Sequence, residues 1–468
     1  MTETIRKNLN DHAWARWSAM LLIALMMLFA HMFVDVISPL KELIQVQRGW
    51  TSDVFGTYAG SEYLLNVWGF LIVAGIILDK MGLRFTGELS ALIMFAGACI
   101  KYYAISDAFI GSGFEAWLNS WWVAMPASAK LASLGFMIFG CGCEMAGITA
   151  SKAMAKWFEG KEMALAMGLE MALARIGVFF IFTISPRIAG IGGADPSVVR
   201  PVAFCTALLL IGLLCYTIFC VMDKKLDSQL GASSSGEAEE EFKISDIGKI
   251  FSSRLFWIVA MLCVLYYSAI FPFQKFAANM LQSNLGITAT AAADIFRWFP
   301  VGAACITPFL GWYLDRKGKG ATMLILGSLL MIICHTIFAL VLPAVPSKAI
   351  AFSAIILLGI SFSLVPAALW PSIPKIMDKR YLGSAYSLIF WVQNFGLSGT
   401  PILIGYALEK SNPGVAEQIA AGVEGATYNY TVPMLLFASL GVLALIFALW
   451  LKADDARNHY GLEQPNIK

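Results

Sequence analysis

The sequence predicts an all-α membrane protein of twelve transmembrane helices in two pseudo-symmetric six-helix halves. Three observations carry that prediction. Of 468 residues, 59% are hydrophobic and only 14% charged, whereas a soluble globular chain carries roughly a quarter charged residues. Apolar runs of about 20 residues, the length that crosses a bilayer core, recur twelve times. A short charged hairpin, Gly75 to Arg84 with Asp79, Lys80 and Gly82 inside it, returns as Gly311 to Gly320 with Asp315 and Arg316, each copy between two apolar runs.

In order, the first half (1–222) holds runs near 17–40, 54–78, 85–105, 131–154, 162–189 and 201–222. The first follows a polar head with Arg6, Lys7 and Arg16 and is too long for a cleaved signal, so it stays as a helix. Between the third and fourth runs, residues 106–130 carry Trp117, Trp121 and Trp122, a composition suited to headgroup level. Gly135, Gly140, Gly142 and Gly147 in the fourth run let another helix approach closely. Residues 223–251 are rich in Ser, Gly and Glu and read as a cytoplasmic linker. The second half (252–468) follows with runs near 254–279, 292–314, 321–343, 349–377, 382–407 and 431–451. Pro366, Pro371 and Pro374 in the tenth run, and Gly396, Gly399 and Pro401 in the eleventh, predict that these two helices break and move most. Residues 408–430 are polar and read as an outer loop.

Basic residues orient the chain: with both termini cytoplasmic, 22 Lys and Arg fall inside and 8 outside, Lys41, Lys101 and Lys130 among the latter. All nine cysteines lie within apolar runs, which excludes a disulfide framework and marks them as packing residues. A net charge of +2 and the lack of a phosphate-binding loop give no support to nucleic-acid binding or ATP-driven work. No constellation supports enzyme chemistry, and neither a cofactor nor a metal site is expected.

The pattern G-x-x-x-D-[KR]-x-G-x-[KR] at Gly75–Arg84, echoed at Gly311–Gly320, resembles the signature loop of the major facilitator superfamily. The resemblance implies the major facilitator fold and a cytoplasmic latch built from Gly75, Asp79, Lys80, Gly82, Arg84, Gly311, Asp315 and Arg316, with basic residues pairing to carboxylates across the interface between halves. A narrower resemblance runs from Phe139-Gly140-Cys-Gly142-Cys-Glu144 through Trp157-Phe158-Glu-Gly160-Lys161 to Ala174-Arg175-Ile176-Gly177, then Leu369-Trp370-Pro371 and Gln393-Asn394-Phe-Gly396. These segments are similar to the lysosomal dipeptide transporter group called major facilitator superfamily domain-containing protein 1. It implies a facilitated uniporter of dipeptides in which Glu144 contacts the amino end and Arg175 the carboxyl end. The sequence departs from that group at Cys143, Met145 and Glu170.

The residues support the same pair independently. Glu144 and Arg175 fall halfway along the fourth and fifth runs, where a charge costs at least about 2.5 kcal/mol and needs a partner or a watery cavity. Either the two pair with each other and hold helices together, or they face a solute. A guanidinium fork suits a carboxylate, whether of a peptide or another organic anion. Asn394, which aligns with Arg175 at an offset of 219 that also sets Lys161 opposite Arg380, offers donor and acceptor to an amide. Gln393 reads as interhelical glue. Trp370 could wall the site or simply pack. Glu62 in the second run, and His31 with Asp35 at the outer end of the first, are candidate proton-coupling residues, the last two with access to water.

The expected function is thus alternating-access uniport of a small zwitterion, most concretely a dipeptide, by a monomer. The alternatives are a proton-coupled symporter of an organic anion and a non-transporting membrane receptor of the same fold. The expected location is the cell (inner) membrane. The N-terminal tail lacks an acidic dileucine signal, so a lysosomal address is not inherited.

Overall fold

A computed structural model describes residues 8–230, 247–377 and 382–465. The central part of the linker, residues 231–246, and Arg380 of the repeat correspondence lie outside the described residues. The described chain is helical, and ten of its helices are long and apolar enough to cross a membrane. The two other predicted crossings, 54–78 and 292–314, are rods made of shorter pieces.

Helix α1 spans Ala13–Val34 and ends where Asp35–Ile37 leave the helix. Rod α2 is built from Ser52–Ser61, Leu64–Val67 and residues 70–81. Gly82, at φ 78°, separates it from α3, residues 83–105, within an otherwise continuous Phe70–Ile105. A left-handed φ is cheap only for glycine, which explains why the hairpin turns at this residue. The first half continues with α4 (Ala127–Phe158), α5 (Met163–Ile188) and α6 (Val199–Leu230). The second half contains α7 (Arg254–Leu285), α8 (Ala289–Phe296 and Trp298–Lys317), α9 (Gly320–Thr336), α10 (Lys348–Ile376), α11 (Leu382–Ser411) and α12 (Thr431–Asn458). Hydroxyl caps start two of them: Ser253 Oγ accepts from Phe256 N, and Thr288 Oγ1 from Ala291 N, each satisfying an otherwise orphaned donor.

The breaks are not where the prolines predicted them. Helices α10 and α11 run through Pro366, Pro371, Pro374 and Pro401 without interruption. One reason is local: Pro374 leaves the Trp370 carbonyl without its helical donor, and the Tyr386 hydroxyl donates to that oxygen at 3.2 Å. Rod α2 breaks instead at Glu62–Tyr63 and at Trp68–Gly69, with Gly69 at φ 90°. The exposed backbone there is met by other helices. Gly140 of α4 lies so close to the Glu62 carbonyl that a Cβ would sit 1.9 Å from it, and Trp391 Nε1 of α11 donates to Val67 O at 2.8 Å.

The two halves touch on the outer side. A Cβ on Gly56 would fall 2.3 Å from Pro401 O, and one on Gly60 would fall 2.2 Å from Ser398 O, so the α2 and α11 backbones are in direct contact, as small residues permit. Ser398 Oγ donates to Gly60 O at 2.9 Å and Ser52 N to Glu409 Oε2 at 3.1 Å. Arg187 of α5 pairs with Asp294 of α8 at 2.8 Å. On the cytoplasmic side, the pairs Arg16–Glu162, Lys152–Asp79, Arg84–Asp223, Lys156–Asp227, Arg254–Asp454 and Lys319–Glu463 each stay within one half. Among the described residues, the ion pairs that join the two halves lie on the outer side, where the face is closed, and the arrangement is inward-facing.

Candidate functional site

At 1.5 Å per residue, Glu144 lies about 21 Å along α4 from its cytoplasmic end and Arg175 about 18 Å along α5 from the cytoplasmic end of that helix, so the two share a level. Both are half-buried. Each stays without a hydrogen bond or ion pair among the described residues, and they do not pair with each other, which removes the reading of a purely structural bridge. Above them toward the outside, three charged groups are almost fully buried: Asp35 is 1% exposed, Glu62 4% and Lys275 5%. From the level of Glu144 and Arg175, accessibility therefore falls in the outward direction.

The wall opposite Arg175 comes from the second half. The guanidinium sits over the Phe362 ring at 5.2 Å, a cation–π contact worth about 0.5–2 kcal/mol. Phe362 is followed by Phe271 and Tyr267, edge-on and then stacked. Trp370 Nε1 donates to the Tyr267 hydroxyl at 3.2 Å, and the indole stacks on Phe390 at 4.8 Å. Trp370 thus belongs to an aromatic surface spanning α7, α10 and α11. Asn394 is nearby on α11; its Nδ2 donates to Phe390 O at 3.0 Å, while Oδ1 is buried without a partner. An unpaired buried acceptor costs about 1–3 kcal/mol, so this amide oxygen is poised to accept. Gln393 faces α7, where its Oε1 accepts from the Cys263 thiol at 3.0 Å, as expected of interhelical glue.

The candidate proton-coupling residues divide. Glu62 and Asp35 converge on Lys275 Nζ, each at 3.2 Å, and Val34 O accepts from the same ammonium at 3.0 Å. Ser38 Oγ and Gln274 Nε2 also donate to Asp35. Asp35 is therefore not the water-accessible outer group that its position predicted; the unwound end of α1 turns it inward onto α7. His31 stands apart, its Nδ1 bonded to Met27 O at 2.8 Å. Lys275 is the residue that sequence reasoning misses. Its position inside an apolar run is the signal, but the partners lie far away in the chain.

Lys41, Lys101 and Lys130, counted as outer-side charges, are also buried. Lys130 donates to Leu118 O at 2.6 Å, and Lys41 to Ser52 Oγ at 3.0 Å. Each ammonium thus ties two outer-side segments together.

In the latch hairpin, Asp79 pairs with Lys152 at 2.9 Å, and Arg84 with Asp223 at 3.1 Å. Asp223 is only 1% exposed and also accepts from Lys156 at 2.8 Å and Trp157 Nε1 at 2.9 Å. These partners belong to α4 and α6 of the same half, so among the described residues Asp79 and Arg84 pair within the first half. Gly75 meets nothing that a Cβ would disturb, as does Gly311; Lys80 is exposed. In the second copy Asp315 lies in the last turn of α8, which ends at Lys317, and Arg316 lies over the Trp312 ring at 5.3 Å. Here the C-terminal tail fills the turn: Lys319 N donates to Glu463 O and Gly320 N to Leu462 O, at 3.1 and 3.0 Å. Near the inner mouth, a hydrogen bond from Lys161 holds the Asp11 carboxyl below the usual carboxylate range, and one from Arg16 does the same for Glu162.

The Major Facilitator Superfamily profile matches residues 21–401 and again 276–466. Among curated proteins, the chain is 27% identical to the lysosomal dipeptide transporter MFSD1 of Danio rerio over 79% of this chain and 75% of that protein. It is 29% identical to that of Mus musculus over 60% of each, and 27% identical to that of Homo sapiens over 60% of this chain and 59% of the relative. Among solved structures, a bacterial homolog of the human lysosomal transporter Spinster, described as inward-facing and unoccupied, superposes with TM-score 0.69 at 15% identity, covering 94% of this chain and 98% of that one. The nucleoside transporter NupG gives 0.66 at 14% identity over 93% and 99%. At such identities the solved structures establish the shared fold.

Proposed function

The chain belongs to the Major Facilitator Superfamily, and from that premise we propose that it moves dipeptides or closely similar zwitterions by facilitated uniport, one ligand at a time. Its classification as a multi-pass membrane transporter rather than an enzyme follows from the family; the substrate is the proposal. The observation that carries it is the pair Glu144 and Arg175, at one level, half-buried and unpaired. A charge at that depth is costly, and a solute with one ammonium and one carboxylate would satisfy both at once. The Phe362–Trp370 surface would flank the peptide, and Asn394 Oδ1 would accept from its amide N–H. The dipeptide in the relatives' names supports this chemistry.

Alternating access requires a cytoplasmic closure to replace the outer one. In the proposal, Asp79, Arg84, Asp315 and Arg316 form that latch, exchanging their present neighbours for partners across the interface. The first half would be 1–222 and the second 252–468, joined by the cytoplasmic stretch 223–251. Two carboxylates share one ammonium at Lys275, which favours a second reading in which a proton accompanies the solute; uphill uptake driven by an inward pH gradient would select it. The relatives are named lysosomal, which leaves the cell-membrane expectation without support from them.

The test is uptake of a labelled dipeptide into liposomes containing the purified protein. Wild type takes it up, and Arg175→Ala loses at least roughly tenfold, the equivalent of about 1.4 kcal/mol of binding. Equal uptake by both would refute the assignment.

A further inference from the structure

Lys101 Nζ is fully buried in α3 and has no hydrogen-bond partner among the described residues. It is held by three ring faces: Phe33 of α1 at 4.1 Å, Phe136 of α4 at 4.5 Å and Tyr58 of α2 at 5.2 Å. Rings attract a cation, but they do not replace the hydrogen bonds of a desolvated ammonium. The Tyr58 hydroxyl is likewise buried without a partner. Two donors thus lack acceptors in one place.

The acceptors that would suit them are adjacent and engaged elsewhere. Phe33 lies two residues before Asp35, and Tyr58 one helical turn before Glu62. Both carboxylates are bound to Lys275, whose ammonium lies 5.4 Å from the centroid of the same Phe136 ring. Asp35, Glu62, Lys101 and Tyr58 all belong to the first half; Lys275 alone comes from the second. When the outer side opens, α7 withdraws with the second half and takes Lys275 away. Two carboxylates at membrane depth then face each other with no cation.

We propose that Lys101, with Tyr58, is the reserve counter-ion of the outward-open state, turning on its flexible four-carbon stem to Asp35 and Glu62 when Lys275 leaves. In the inward-facing state it waits in its ring cage, unpaired, because Lys275 occupies the acceptors. The arrangement lowers the cost of separating the clamp and keeps the two states close enough in free energy to exchange. It is independent of which solute is carried.

The test reads conformation without substrate: hydrogen–deuterium exchange of the full chain in lipid nanodiscs, followed in the outer parts of α2 (52–67) and α11 (398–411). Lys101→Met removes the reserve cation and relieves the cage, so the outer face stays closed longer and exchange in both segments slows by roughly tenfold. Adding Asp35→Asn, Glu62→Gln and Lys275→Met removes the whole ionic set, so that no counter-ion is needed and no partnerless charge stays buried, and restores exchange toward wild type. Lys101→Gln serves the same comparison if the methionine variant does not fold. Wild-type exchange in Lys101→Met, or slow exchange that persists after the carboxylates are neutralised, overturns the proposal and leaves Lys101 a packing residue.

Discussion

Replacing Lys275 by Met tests the outer clamp. The ammonium lies about 15 Å below the outer end of α7, joins Asp35 and Glu62 at 3.2 Å each and is 5% exposed. Removing one member of a buried ionic set costs about 3–5 kcal/mol, because the remaining charges stay desolvated. That cost falls on the inward-facing state, where the carboxylates are sealed from water, and is reduced when the outer side opens, where Lys101 and water both reach them. A differential of about 3 kcal/mol shifts the equilibrium roughly a hundredfold toward outward-open. Hydrogen–deuterium exchange should then accelerate in residues 52–67 and 398–411 and slow at the cytoplasmic ends of α4, α5 and α10. The triple variant Asp35→Asn, Glu62→Gln, Lys275→Met should recover much of the wild-type pattern, since replacing a whole buried ionic set is often near neutral. Unchanged exchange in Lys275→Met would refute the reasoning.

Other perturbations follow from the same contacts. Gly60→Leu sets a side chain against the Ser398 carbonyl and should prevent outer closure, abolishing net uptake while the protein still inserts and elutes as a single species. Asp223→Ala strips Arg84, Lys156 and Trp157 Nε1 of one acceptor and should lower stability by about 1–3 kcal/mol in detergent thermal unfolding. Asp11 titrates below its ordinary value because Lys161 donates to it. Its contribution is present above the unfolded-state value and is lost as pH falls through the lower folded value. Melting temperature should therefore drop in that acid window, and Asp11→Asn should flatten the slope.

The fold is legible because it is written in composition and length: apolar runs, a charge-poor chain and the repeated Asp79 and Asp315 hairpins need no knowledge of contacts. Glu144 and Arg175 are legible because a charge inside an apolar run stands out. Lys275 stands out in the same way, yet its partner Glu62 is 213 positions distant, and no local pattern ties them. Lys101 reads as an outer-surface residue because it ends an apolar run; the rings that enclose it come from three other helices. The breaks in α2 carry no proline and lie against Gly140 at Glu62 and Trp391 at Val67, whereas the freed Trp370 carbonyl of α10 is met by Tyr386. In each case sequence shows the cost of a residue, and packing decides how that cost is met.

The most direct measurement of the central claim is thermal stabilisation of the purified protein by a free dipeptide, compared with its N-acetylated and C-amidated forms. A ligand stabilises by RT ln(1 + [L]/Kd), so losing the partner of Glu144 or of Arg175 is read separately. The account predicts a shift with the free dipeptide and little or none with either blocked form. Equal shifts from all three would contradict it.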